Sequence, residues 1–362
     1  MGVRLLKVAF RLSVTMAARA PEGHDGRVVS VQTSLPVVDL GDEPAALRQR
    51  LGRVAHEVGF FYLTGHGVPD DLVARLLAAS RRFFALPQAD KDAIAMVNSP
   101  HFRGYTRLGG ELTGGTVDWR EQLDIGPERV PLARPADTYL HLQGPNQWPA
   151  ALPELPAVIA EWDAELARVG RTLLQHWAVA LGNPAEVFDA AFAEDPATLI
   201  KVIRYPGRAD SEQGVGAHRD AGVLTLLLAE PGSRGLQVRA GSGGQEQSDP
   251  GNDTEFLDVD PLPGALIVNI GEMLEIASGG YLRATEHRVR IQDTERLSVA
   301  YFFNPRLDAR LPVLALPAEL AARARGVTDD PSNDRIYAVY GRNAWKSRVR
   351  AHPDVAAAHH YM

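Results

Sequence analysis

The hydrophobic rhythm changes along this chain. Residues 35–40, Leu-Pro-Val-Val-Asp-Leu, read as a short strand, and residues 43–58 follow with the spacing of a helix that stops at Gly59. An aromatic strand at 60–64 closes in the turn Gly65-His66-Gly67-Val68-Pro69, after which 70–84 and the shorter 87–94 read as helices. Residues 118–125 read as one strand, and the proline and glycine density between 127 and 156 predicts an irregular connection. Ile159, Trp162, Leu166, Val169, Leu173 and Trp177 mark one face of a long amphipathic helix whose tryptophans belong to the core. Beyond it come shorter apolar runs: 198–206, 223–228, 236–238, 256–259, 264–270, 285–289 and 296–303 read as strands. From 304 onward the chain turns helical and polar.

A chain of 362 residues, 45% of them hydrophobic, can bury a large core. A β core with helical decoration fills such a length as one structural unit. Here residues 34–155 are expected to pack on a core formed by 156–362. Residues 1–33 are expected to be a disordered tail, with Met16 a candidate start. Arg4, Lys7, Arg11 and Arg19 lie among apolar residues there, and Arg11 cuts the apolar run short of a membrane span or signal core. The net charge of −7 comes with no basic stripe for nucleic acid. The expectation is a cytoplasmic monomer or weak homodimer with a small-molecule partner, and neither nucleic acid nor membrane. No cysteine is present, so disulfides and thiolate metal sites are excluded.

The candidate chemistry centres on Gly214-Val215-Gly216-Ala217-His218-Arg219-Asp220. Residues two apart in an extended chain share a face, so His218 and Asp220 can converge on one point while Arg219 turns away. His287, in Thr285-Glu286-His287-Arg288-Val289, offers a third donor. Two histidines and one carboxylate make a face that suits non-haem Fe(II) and leaves positions open for substrate and O2. Arg296 and Ser298 repeat the two-residue relation. A guanidinium with a hydroxyl beside it can receive the far carboxylate of a dicarboxylate whose near end chelates the iron.

The order His-x-Asp, then His, then Arg-x-Ser resembles that of the 2-oxoglutarate and Fe(II)-dependent dioxygenases of the isopenicillin N synthase-like family. Gly59-Phe60-Phe61 with His66-Gly67-Val68-Pro69 is similar to the N-terminal region of that family, and the resemblance covers residues 34–360. It implies a mainly β fold with flanking helices around a double-stranded β-helix, the cupin-like jelly-roll. It implies Fe(II) with 2-oxoglutarate and O2 as co-substrates. The enzyme would hydroxylate, desaturate or cyclise a small molecule with release of succinate and CO2. His218, Asp220 and His287 are then metal ligands and catalytic centre, Arg296 and Ser298 hold the C5 carboxylate, and Tyr205, before Pro206, is a further contact. Many relatives carry an asparagine where this chain has Ile203, which leaves the co-substrate contacts less complete.

Other readings compete for the same residues. An oxidase like isopenicillin N synthase itself would use no 2-oxoglutarate, and a silent binding protein could keep the scaffold. A zinc hydrolase could use the three donors but leaves Arg296 and Ser298 without purpose. His218-Arg219-Asp220 mimics a kinase catalytic loop, yet no asparagine follows five residues after Asp220. For the primary substrate, Arg103, Tyr105 and Glu111 in the glycine-rich, mobile stretch up to Gly115 are candidates, as is Phe303. His66 reads as a turn residue. Glu272 and Glu275 read as a helical piece with one or both facing solvent, and Lys346, Arg348, Arg350 and His352 read as a solvated helix face. Residues 239–255 read as a long hairpin loop.

Overall fold

The structure, a computed structural model, describes residues 35–207, 212–239, 256–327 and 336–361. The expected tail at 1–33 and the loop at 240–255 lie outside the described residues. Residues 34–362 form one compact unit. The first part of the chain contributes β1 (Val37–Asp39), α1 (Pro44–Glu57), β2 (Phe60–Thr64), α2 (Asp70–Phe84) and α3 (Gln88–Asp92). Then come β3 (Gly104–Thr106), β4 (Glu111–Thr113), β5 (Thr116–Asp118), β6 (Glu121–Ile125), the long α4 (Leu155–Ala180) and α5 (Asp189–Phe192). The strand-rich part holds β7 (Leu199–Tyr205), β8 (Gln213–His218), β9 (Leu224–Ala229), β10 (Leu236–Arg239), β11 (Phe256–Asp258) and β12 (Leu266–Ile270). It ends with α6 (Glu272–Ala277), β13 (His287–Arg290), β14 (Arg296–Phe303), α7 (Ala318–Ala321), α8 (Tyr340–Ala351) and α9 (Pro353–Ala358).

Eight strands make one sheet in the order β1-β2-β12-β9-β14-β7-β6-β3, and four make a second in the order β11-β10-β13-β8. Every pairing is antiparallel except β1 with β2. The two sheets close on each other as a jelly-roll, the fold class expected from the sequence.

Alternation along β14 explains the layering. Leu297, Val299, Tyr301 and Phe303 pack on the helical side with Trp162, Leu166, Val169 and Leu173 of α4. Ala300 and Phe302 pack on the other face with Ile203 and Tyr205 of β7 and with Val215 and Val289 of the small sheet. Trp162 and Trp177 are fully buried, as their helical spacing predicts, and each buried Leu or Val on this face contributes roughly 1.5–3 kcal/mol.

Three expectations need correction. The run 118–125 is two strands, because Arg120 leaves the ladder to pair with Glu111 at 2.8 Å and Asp118 at 3.3 Å. The stretch around Gly114 and Gly115 is an ordered hairpin. Both glycines take positive φ at the β4–β5 turn, and the Glu111 side chain is buried. The C-terminal basic cluster is a solvated face only in part: Arg350 is exposed and Lys346 half-buried, but Arg348 and His352 are buried and Arg348 is salt-bridged to Asp124 of β6. Among the described residues no helix is long and apolar enough to cross a membrane.

A Cβ on Gly170 of α4 would stand 2.6 Å from the Phe303 ring. Gly170→Val should therefore destabilise the protein by about 1–3 kcal/mol, read as a lower denaturant midpoint with an unchanged m-value.

Candidate active site

The pairing of β13 with β8 sets His287 directly opposite His218. Their ring centroids are 4.4 Å apart. Asp220 lies two residues beyond the end of β8, and its Oδ1 is 3.7 Å from His218 Nε2 and 4.0 Å from His287 Nε2. One ligand atom from each residue lies within 4.8 Å of the others. The orientation of each donor is set from behind. His218 Nδ1 is 2.8 Å from the Gly216 carbonyl and His287 Nδ1 is 3.1 Å from the Thr285 carbonyl, so each Nδ1 carries the proton and each Nε2 presents a lone pair. Asp220 Oδ2 accepts from Thr225 Oγ1 at 2.6 Å and Asn269 Nδ2 at 2.8 Å, which leaves Oδ1 facing the imidazoles. Thr225 and Asn269 are register partners across β9 and β12.

The electrostatics favour a cation. Burial, with His287 close by, pushes the His218 imidazole down to about 4, so it is neutral at ordinary pH. Burial alone would raise the Asp220 carboxyl, but the two imidazoles and its two hydrogen bonds outweigh it and hold it below the usual range. A neutral imidazole at His218 and an ionised carboxylate at Asp220 are the forms a divalent metal requires of them.

Arg296, Ser298 and Tyr205 lie on the same inner face. Arg296 is the register partner of Tyr205, and its Cζ stands 4.7 Å over the tyrosine ring. Arg296 Nη1 and Ser298 Oγ are buried without a hydrogen-bond partner. Burial lowers the Arg296 pKa. Two orphaned donors on one face, with an uncompensated charge, fit an incoming carboxylate.

Comparison with known proteins decides the family. Residues 35–151 match the family described as non-haem dioxygenase in morphine synthesis N-terminal, and residues 197–305 match the 2OG-Fe(II) oxygenase superfamily. The 2-oxoglutarate-dependent dioxygenase frbJ of Dothideomycetidae sp. is 33% identical over 89% of this chain and 90% of its own length. The chain belongs to the 2-oxoglutarate- and Fe(II)-dependent oxygenases. Homoarginine-6-hydroxylase 2-ODD-C23.1 of Arabidopsis thaliana is 31% identical over 81% of this chain and 91% of its own. The crystal structure of JOX2 in complex with 2OG, Fe and JA superposes with a TM-score of 0.65 at 26% identity, covering 90% of this chain and 89% of that one. As a member of this family the protein is an oxidoreductase that works with Fe(II), 2-oxoglutarate and O2 on small molecules.

The remaining candidates in this oxygenase separate sharply. Phe303 faces the helices, stacked on Phe192 at 4.5 Å, because alternation sends Phe302 inward instead; it does not line the site. Tyr105 is the register partner of Leu123 on the helical side and donates to Glu121 at 2.5 Å, away from the triad. Arg103 is buried with one hydrogen bond, to the Leu142 carbonyl at 3.1 Å, and lines a small cavity. His66 serves its turn, accepting from Val68 N and lying 3.2 Å from the Gly264 carbonyl. Glu272 and Glu275 are half-buried rather than solvent-facing. Sequence reasoning missed Thr225, Asn269, Arg120 and Lys201; each sits inside an ordinary strand-like run with no spacing that singles it out.

Asn269→Ala should weaken Fe(II) binding about 10- to 100-fold by releasing the Asp220 carboxylate, measured by equilibrium dialysis under anaerobic conditions. Burial pushes the Glu272 carboxyl from an ordinary 4.5 up to about 7. The folded state therefore binds this proton more tightly than the unfolded chain. That stabilisation is present at low pH and is lost as pH rises through 7. Glu272→Gln should shrink the drop in stability of the metal-free protein between pH 5 and pH 7.5 by on the order of 1 kcal/mol, after allowing for solvent screening, in parallel urea titrations.

Proposed function

We propose that His218, Asp220 and His287 hold the Fe(II) of this oxygenase, and that Arg296 and Ser298, with Tyr205 beside them, receive the C5 carboxylate of 2-oxoglutarate. The observation that carries the assignment is the pairing of a convergent donor triad with two buried, unpartnered donors on one inner face. The relative named as a homoarginine-6-hydroxylase supports hydroxylation of an amino-acid-like small molecule over desaturation or ring closure. Residues 34–155 and 156–362 act as one unit in this reading, because β2 and β6 share a sheet with β12 and β7.

Bound Fe(II) and 2-oxoglutarate supply O2 activation coupled to decarboxylation, giving succinate and CO2. The residues of the chain contribute position and environment. Gly216 and Thr285 carbonyls fix both imidazole tautomers, and Thr225 with Asn269 fixes the carboxylate, so the donors need no reorganisation on loading. Arg296 and Ser298 orient the co-substrate from its far end. Gly214 keeps the approach open, since a Cβ there would meet the Tyr205 ring at 3.1 Å. Phe60, 5.3 Å from the His287 ring, and Val289 exclude water on one side.

The test is succinate formation from 2-oxoglutarate by protein loaded anaerobically with Fe(II) and then given O2 and ascorbate. Wild type should form succinate without added substrate, whereas an oxidase independent of 2-oxoglutarate would not. His218→Ala and Asp220→Ala should lose at least about 100-fold in turnover and bind Fe(II) weakly while keeping the circular dichroism of the fold. Arg296→Ala should raise the KM for 2-oxoglutarate about 10- to 100-fold, the loss of charge-assisted hydrogen bonds. Full turnover in either ligand variant sinks the assignment.

A further inference from the structure

A second set of buried donors lies apart from the triad. A cavity of about 40 Å³ is lined by Arg103, Arg129, Arg348, Gln143, Tyr340 and Leu199, among others. Its cations are not balanced. Five cations in this region, Arg103, Arg120, Arg129, Lys201 and Arg348, face four carboxylates, Glu111, Asp118, Asp124 and Asp195. Asp124 is already shared among Lys201, Arg348 and Gln122, and Asp195 sits at the surface beside Arg129. The surplus falls on Arg103. Among the described residues no carboxylate lies in ion-pair range of it, its Nε has no partner, and it is 93% buried by its 7% exposure. Arg348 Nη2, on the same cavity, is also buried without a partner. Burial, with Arg348 nearby, lowers the Arg103 pKa to about 10, and Asp124, beyond ion-pair distance, offsets this only in part. A buried guanidinium without a counter-ion is costly unless a ligand supplies one.

The cavity also has a defined relation to the metal site. Leu199 on its wall is the register partner of Phe302, and Phe302 is the register partner of Thr225, whose hydroxyl holds Asp220. Two strand spacings separate Leu199 from Thr225, about 10 Å. An extended chain of about eight to nine single bonds spans that length.

We propose that this cavity, through Arg103 and Arg348 with Arg129 at its rim, anchors a carboxylate of the primary substrate, and that the enzyme oxidises a small-molecule acid at a carbon remote from that group. The size fits a planar carboxylate and little more, and guanidinium geometry suits it by paired hydrogen bonds. The inference rests on the oxygenase reading for the location of the oxidised carbon, but not for the anchoring.

The test is calorimetric titration of the anaerobic Fe(II) and 2-oxoglutarate complex with acids paired with their primary amides: L-homoarginine, L-arginine and 6-phenylhexanoate. At least one acid should bind, and at least tenfold more tightly than its amide. Arg103→Gln should erase that preference and Arg103→Lys should keep part of it. Equal binding of every acid and its amide, binding of none of the acids, or an undiminished preference in Arg103→Gln overturns the proposal. The acid–amide comparison on wild type needs no variant, so a misfolded Arg103→Gln leaves the test decisive. Succinate formation by the same wild-type preparation is scored separately: its absence removes the oxygenase reading, while a failed acid preference with normal succinate formation removes only the anchor.

Discussion

In β14 the pleat sends Leu297, Val299, Tyr301 and Phe303 toward α4 while Arg296, Ser298, Ala300 and Phe302 look toward the small sheet, and the site depends on that division. A slip of one residue would bury Arg296 among the helices and push Phe303 into the cavity, so the apolar contacts of α4 enforce the register that the chemistry needs. The same rule operates in the small sheet, where the pairing of β13 with β8 puts His287 across from His218. The candidate metal donors lie on or just beyond the strands of the small sheet, their supports Thr225 and Asn269 on the large one, so the Asp220 carboxylate is held only once the two sheets have closed.

The inner face carries an unusual load of charge for a β core. Burial alone would raise the Glu111 carboxyl, but Arg120 and Lys201 outweigh it and hold it well below the ordinary range. Removing one member of such a buried set costs about 3–5 kcal/mol, because its partner is stranded without water. The network therefore behaves as a stiff wall. Among the buried polar atoms left without a hydrogen-bond partner, Arg296 Nη1 and Ser298 Oγ share one inner face, and Arg103 Nε and Arg348 Nη2 border one cavity. Glu111, Asp118, Asp124 and Lys201 are ion-paired within this wall, and paired unsatisfied donors beside it are the kind of group a ligand would complete.

The hairpin of β4 and β5 and the helix α8 show how distant segments complete this wall. Glu111 comes from the hairpin, Arg120 from the turn after it, and Arg348 from a helix more than two hundred residues later that bonds Asp124. Their types looked unremarkable along the chain: a polar glycine-rich stretch and a basic C-terminal run. Only their partners explain their burial.

Local pattern was enough for the helices of 43–58, 70–84 and the long α4, for most core strands, and for the shared face of each two-residue pair, His218 with Asp220 and Arg296 with Ser298, because each depends on spacing along a single strand or helix. The His-x-Asp and Arg-x-Ser motifs are legible since residues two apart on a strand must share a face. What spacing leaves open is which face is inward, and for Phe303 and Tyr105 that choice ran opposite to the expectation. It is made by long-range register, β14 against β7 and β9, and β3 against β6. Likewise the support of Asp220 by Asn269, forty-nine residues away, and the pairing of Arg348 with Asp124 arise from sheet closure and helix docking, which no local window contains. The chain order alone determined the kind of chemistry; the tertiary fold decided which polar groups are satisfied by the protein and which are left for a ligand, because satisfaction is a property of neighbours in space.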